Sequence, residues 1–117
     1  MIDDHAGVRR AIRMALASDH VIVEADDGLT GLLRATASRP DAVLIDMDLP
    51  GMVGLEVCRA LRTDPRTATS WIAMMSGRSV DEAVPPALRA GADVFFAKPL
   101  KLRQVRAWVD AVARAAQ

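Results

Sequence analysis

Hydrophobic positions recur along this chain with two different periods, and the two alternate. In AGVRRAIRMALAS (6–18), Val8, Ile12 and Leu16 stand four apart, which predicts one buried helical face. HVIVEA (20–25) is short and β-branched and predicts a strand. Asp27-Gly28 signals a turn, and LTGLLRATAS (29–38) returns to helical spacing. DAVLID (41–46) is a second strand, and VGLEVCRALRTD (53–64) a helix with Leu55, Cys58 and Leu61 inward, stopped by Pro65. WIAMMSG (71–77) and DVFFAK (93–98) are further strands. Between them, DEAVPPALRAG (81–91) is helical, with Pro85-Pro86 as a flaw. An interior proline costs about 3 kcal/mol or more, whereas a first-turn proline is tolerated. The helix is therefore expected to run only from about Val84 to Arg89. LRQVRAWVDAVARAA (102–116) closes the chain with Leu102, Val105, Val109 and Val112 on one side.

Strands alternating with helices, and apolar without interruption, predict parallel pairing with helices on both faces and right-handed crossovers. The fold class is a three-layer, doubly wound α/β domain covering 1–117, with no output domain in this chain. Such sheets place their working site beyond the carboxyl ends of the strands. Polar residues should gather there, and they do. Asp46 ends one strand, Ser76 the next and Lys98 the last, while Asp3-Asp4 precedes the first helix where an earlier strand would end.

Three crowded carboxylates, Asp3, Asp4 and Asp46, repel one another unless a cation joins them. A hard divalent cation such as Mg²⁺ (or Mn²⁺) takes one or two carboxylates together with waters and phosphate oxygens. Lys98 adds an ammonium and Ser76 a hydroxyl. Together these groups suit a phosphoryl group, with Asp46 as the nucleophile and the others compensating charge in transfer.

Composition narrows the reading. The 117 residues suffice for one core, and 51% are hydrophobic, so disorder is not expected. Fifteen basic and fifteen acidic residues cancel, which argues against a broad grip on nucleic acid or an anionic membrane. The single Cys58 excludes an internal disulfide and is read as a small buried hydrophobe. Neither a secretory leader nor a membrane span is seen, so a cytoplasmic location is expected. Trp71 and Trp108 are read as packing or interface residues, His5 and His20 as surface residues, and Arg9, Arg10 and Arg13 as a solvated face.

The segments DD (3–4), LIDMDLPGMVGLEVCRALR (44–62), MMSG (74–77) and AGADVFFAKPL (90–100) resemble, in order and spacing, the receiver domains of two-component response regulators. The resemblance covers nearly the whole chain. It implies a flavodoxin-like sheet of order 2-1-3-4-5, and a switch that takes a phosphoryl group on Asp46 from a histidine kinase or phosphotransfer protein. Asp4 would be a direct metal ligand, Asp3 an outer one, and Asp48 would lend its backbone carbonyl. Ser76 and Phe95 would move on activation, Lys98 would bridge to the phosphate, and the Lys98-Pro99 bond would be cis. The effector is not named by the resemblance, and self-association is left open.

Three departures carry expectations of their own. Only Met1 and Ile2 precede Asp3, where the family has a longer central strand. Three absent strand side chains would forfeit roughly 5–9 kcal/mol, at about 1.5–3 kcal/mol each. The natural chain is expected to start upstream, or another segment to fill the slot. A fourth helix shortened by Pro85-Pro86 puts the family's dimer surface in doubt. Asp48 and Arg78, each two residues beyond a strand-end site residue, are expected to pair across the pocket mouth. Two rival functions remain: a haloacid-dehalogenase-type phosphatase, which LIDMDLPG also resembles, and a degenerate receiver used only for docking.

Overall fold

The computed structural model describes residues 1–117. Its elements, in chain order, are α1 (Ala6–Leu16), α2 (Gly28–Ser38), β1 (Ala42–Asp46), α3 (Gly54–Thr63), β2 (Trp71–Ser76), α4 (Val80–Ala90), β3 (Val94–Ala97) and α5 (Leu102–Ala115). The three strands form one parallel sheet in the order β1-β2-β3, with Asp46 opposite Met75 and Ser76 opposite Ala97.

Alternating side chains divide the sheet between two cores. Val43, Ile45, Ile72 and Met74 pack against Ala35 of α2, Val57, Cys58 and Leu61 of α3, and Ala83, Ala87 and Ala90 of α4. Leu44, Ala73 and Met75 pack on the other face against Ile12 and Leu16 of α1 and Val105 and Val109 of α5. The expected three layers are present, and β1 and β2 are apolar up to their last residues because both of their faces are covered. Cys58 is fully buried. Phe96 meets Trp108 edge to face at 6.0 Å, so Trp108 is a packing residue, while Trp71 is 46% exposed.

Two elements differ from expectation. Residues 20–25 do not form a regular strand. Only Ala25 is bridged, in parallel to Ile2, and Ile2 is bridged in parallel to Ile45. Ile2 N donates to Leu44 O at 2.8 Å, Asp46 N to Ile2 O at 2.9 Å, and Ala25 N to Met1 O at 3.0 Å. The spatial order is thus the predicted 2-1-3-4-5, with its first two members, the edge segment at Ala25 and the neighbouring one at Ile2, reduced to single bridges. The reason is local: the strand that would pair with 21–24 is one residue deep. No other segment fills the slot. A cavity of about 420 Å³ lies there, lined by Met1, Leu16, Ile22, Ala35, Val43 and Val109 among others. Val21 is 96% exposed. The Met1 ammonium donates to Val23 O at 2.7 Å, and burial pushes it down to about 6.

The second difference is α4, which spans the full Val80–Ala90 with Pro85 and Pro86 inside it. Each proline removes one helical hydrogen bond, to the carbonyls of Asp81 and Glu82. Both of those residues are exposed, where water can serve the freed groups. The ends are well capped: Ser79 Oγ accepts from Glu82 N, and Gly91 takes the left-handed conformation at φ 107°. Three buried alanines hold the helix to the core. Capping and tertiary packing offset the local proline penalty, so the later helical surface is not shortened.

Candidate functional site

Each chemical side chain is delivered by the end of an extended segment. Ile2 anchors Asp3, β1 ends in Asp46, β2 in Ser76, and Lys98 directly follows β3 and precedes a cis bond to Pro99. Gly54 lets α3 begin directly behind the loop that follows Asp46. A Cβ there would lie 2.2 Å from Asp46 O, so any larger residue would push the helix or the loop away.

The carboxylates converge as expected. Asp3, Asp4, His5 and Asp46 each offer a ligand atom within 4.8 Å of the others. Asp3 is fully buried and Asp46 is 1% exposed, whereas Asp4 lies at the rim. Lys98 Nζ donates to Asp3 Oδ2 at 2.7 Å and stands 3.3 Å from Asp46 Oδ2. The second approach is an ion-pair distance without hydrogen-bond alignment, so Asp46 Oδ2 is buried with no hydrogen-bond partner. Asp46 Oδ1 accepts from Asp48 N at 3.1 Å. One oxygen is therefore tethered by a hydrogen bond, and the other has only the ion-pair approach of Lys98.

Electrostatics agree with that asymmetry. Burial raises the Asp46 carboxyl above the usual range; the Asp48 amide opposes this, Asp3 adds to it, and Lys98 opposes it. Burial pulls the Lys98 ammonium down, but Asp3 and Asp46 together outweigh it and the net shift is upward. The two members of this ion pair are not mutually satisfied, because Lys98 bonds to Asp3 first. A raised carboxyl pKa means that folding favours the protonated form. Stability contributed by that proton falls as pH rises through the folded value, so at neutral pH ionised Asp46 is a cost to the fold. Asp46→Asn should accordingly raise the melting temperature at pH 7 by a few degrees, and the gain should vanish near pH 3, where both states protonate the native residue; paired thermal melts test this.

A buried carboxylate oxygen without a partner, beside two further acids, is the setting a hard divalent cation satisfies. The donor set fits such an ion. Ser76 is fully buried one residue beyond the ladder partner of Asp46, and its Oγ accepts from Arg78 N at 3.0 Å rather than bonding to the carboxylate. Phe95 is half-buried, opposite Met74, and packs on the α3–α4 core. Asp48 and Arg78 pair at 2.7 Å at the mouth, as their matching offsets predicted.

Four residues read as plain surface have partners. His5 Nδ1 faces Asp3 and Asp4, and His20 Nε2 lies 2.7 Å from Asp110 Oδ1. The expected solvated arginine face is partly tied down. Arg13 forms a 2.6 Å pair with Glu24, and Arg9 donates to Asp3 O at 2.8 Å, bracing the loop that carries the acids. No periodicity signals contacts of this kind, because they depend on how side chains turn at the strand ends and loops rather than on spacing.

A family profile described as response regulator receiver domain matches residues 1–110. The transcriptional regulatory protein AfsQ1 of Streptomyces coelicolor is 35% identical over 115 residues, covering 97% of this chain and 50% of the relative. The response regulator MprA of Mycobacterium leprae is 37% identical over 115 residues, covering 97% and 49%. The chain thus spans about half the length of these curated relatives. Among solved structures, the REC domain of AraT, a response regulator from Geobacillus stearothermophilus, superposes with a TM-score of 0.83 at 25% identity, covering 98% of this chain and 91% of that one.

Proposed function

Since the chain belongs to the response regulator receiver family of phosphorylation-activated signalling switches, we propose that its phosphoacceptor is Asp46, loaded from the phosphohistidine of a histidine kinase or phosphotransfer protein. The observation that carries this reading is the buried, partnerless Oδ2 of Asp46 among Asp3, Asp4 and Lys98. Oδ2 attacks phosphorus, the phosphorus–nitrogen bond of the donor breaks, and the donor imidazole leaves with the bonding pair. The Asp48 amide holds Oδ1 and so fixes which oxygen reacts. Lys98 is close enough to neutralise a phosphoryl oxygen, and the Ser76 hydroxyl, which only accepts in its bond from Arg78 N, keeps its own hydrogen to donate to another. Asp3, Asp4 and Asp46, with the Asp48 carbonyl, would hold Mg²⁺ or Mn²⁺, which when bound neutralises charge on the acids and the phosphoryl oxygens.

Phosphorylation brings additional negative charge and acceptor oxygens to the rim. Recruitment of Ser76 and Lys98 would then shift the loops after β2 and β3, with Phe95 following, and bias a two-state surface on the later elements. We place this activity in the cytoplasm; no helix of the structure is long and apolar enough to cross a membrane. A downstream effector would read that shifted surface.

Acetyl phosphate with Mg²⁺ tests the reading. Intact mass should show one phosphoryl group per chain and then no further gain. Repeated turnover of a small phosphoester would instead favour the phosphatase, and no gain at all the docking role. The Asp48–Arg78 pair spans the mouth and should slow the water that hydrolyses the acyl phosphate. Asp48→Ala and Arg78→Ala should each shorten its lifetime, by up to about fivefold if the pair contributes up to ~1 kcal/mol of gating. Unchanged decay in both variants would refute that role.

A further inference from the structure

The acid cluster holds a nitrogen donor that phosphotransfer by itself does not require. His5 Nδ1 lies 3.1 Å from Asp4 Oδ1 and 3.3 Å from Asp3 Oδ1. The two oxygens of Asp3 are divided: Oδ2 is taken by Lys98, while Oδ1 faces the imidazole and accepts the His5 backbone N–H at 2.8 Å. That backbone bond holds residue 5 in place beside the acids. The ring itself is 67% exposed, so it can turn without breaking core packing.

Size permits one ion among the four groups. Opposite ligands on a single cation are separated by twice the bond length, ~4.0–4.4 Å for bonds of about 2.0–2.2 Å. The ligand atoms of Asp3, Asp4, His5 and Asp46 fall within 4.8 Å of one another, so movements well under an ångström gather them. The independent sign that something belongs there is Asp46 Oδ2, buried and without a hydrogen-bond partner.

We propose that His5 is a direct ligand of this divalent-cation site and makes it selective for first-row transition ions over Mg²⁺. This rests on reading the cluster as the cation site of the receiver. Carboxylates alone suit Mg²⁺, whereas imidazole suits the later transition ions and adds little for a hard ion that keeps its waters. In the tautomer protonated at Nε2, the Nδ1 lone pair faces the carboxylates and is placed to bind the cation they would hold.

Titration calorimetry and pulsed electron paramagnetic resonance test this on the intact chain. The Mn²⁺ complex should show nitrogen-14 coupling from a bound imidazole, kept in His20→Gln and lost in His5→Gln. His5→Gln should weaken Ni²⁺ binding by about tenfold or more, as loss of a ligand-shell group does, and Mg²⁺ binding by no more than about twofold. A Mn²⁺ complex without directly coupled nitrogen, or equal losses for Ni²⁺ and Mg²⁺, overturns the proposal while leaving the cation site standing. Failure of the native chain to bind any of the three ions overturns both.

Discussion

Asp46→Asn should take up no phosphoryl group from acetyl phosphate and Mg²⁺, under conditions in which the native chain gains one. The substitution preserves shape but replaces the nucleophilic oxygen with an amide. Asp3 and Asp4 remain as carboxylates, so the variant separates nucleophilicity from mere acidity. Neither should substitute. Asp3 Oδ2 is bound to Lys98 and Oδ1 receives the His5 amide, leaving no free buried oxygen. Lys98→Ala should keep the acceptor but lose charge compensation, slowing uptake by about 10²–10³-fold, the usual cost of removing one such group. Intact mass and its time course read both. Labelling of the Asn variant at full stoichiometry would remove Asp46 from its assigned role. Because the same variant should be more heat-stable at neutral pH, lost labelling cannot be blamed on unfolding.

The second large effect concerns stability. An apolar extension such as Val-Ile-Leu-Val placed before Met1 should stabilise the domain by several kcal/mol, whereas Ser-Gly-Ser-Gly should not. Ile2 already sets the register between Ala25 and Ile45, so preceding residues would run between 21–24 and β1. They would enter the cavity of about 420 Å³ and meet Leu16, Ile22, Val43 and Val109. Three filled side-chain positions are worth roughly 5–9 kcal/mol on transfer values, an upper bound because unfolded chains already bury some surface. Residues 21–24 would gain ladder hydrogen bonds, and the ammonium now held near Val23 O would move away from the slot. Its low pKa adds a signature. An amine near 6 when folded and near 8 when unfolded makes stability rise between those pH values. The apolar extension should flatten that slope. Equal denaturant midpoints for the two extensions would show that the cavity does not accept a strand.

The elements most legible in the sequence were those whose burial is periodic. Val43 to Ile45 and Ile72 to Met75 announced covered strands, and Ile12-Leu16 and Val105-Val109 announced helical faces. The chemistry was legible for a related reason: a polar residue at the end of an apolar run has nowhere to go but the sheet edge. Asp46, Ser76 and Lys98 follow that rule, and the offsets of Asp48 and Arg78 foretold their pairing. Residues 20–25 misled because β-branched composition reports fitness for a strand, not the presence of a neighbour to pair with. Pro85-Pro86 misled in the opposite direction, since the local cost of proline was outweighed by a cap at Ser79, a cap at Gly91 and three buried alanines.

By itself, then, the order of residues determined the layering of the domain, the parallel sense of its sheet and the list of groups at its rim. These follow from periodicity and turn chemistry, which act between neighbours. Tertiary structure alone decided which oxygen of Asp46 is free, that Lys98 binds Asp3 before Asp46, that Arg9 and Arg13 brace rather than dangle, and that His5 turns toward the acids. Such contacts depend on ångström distances between segments as far apart as residues 3 and 98, and no local pattern encodes a distance.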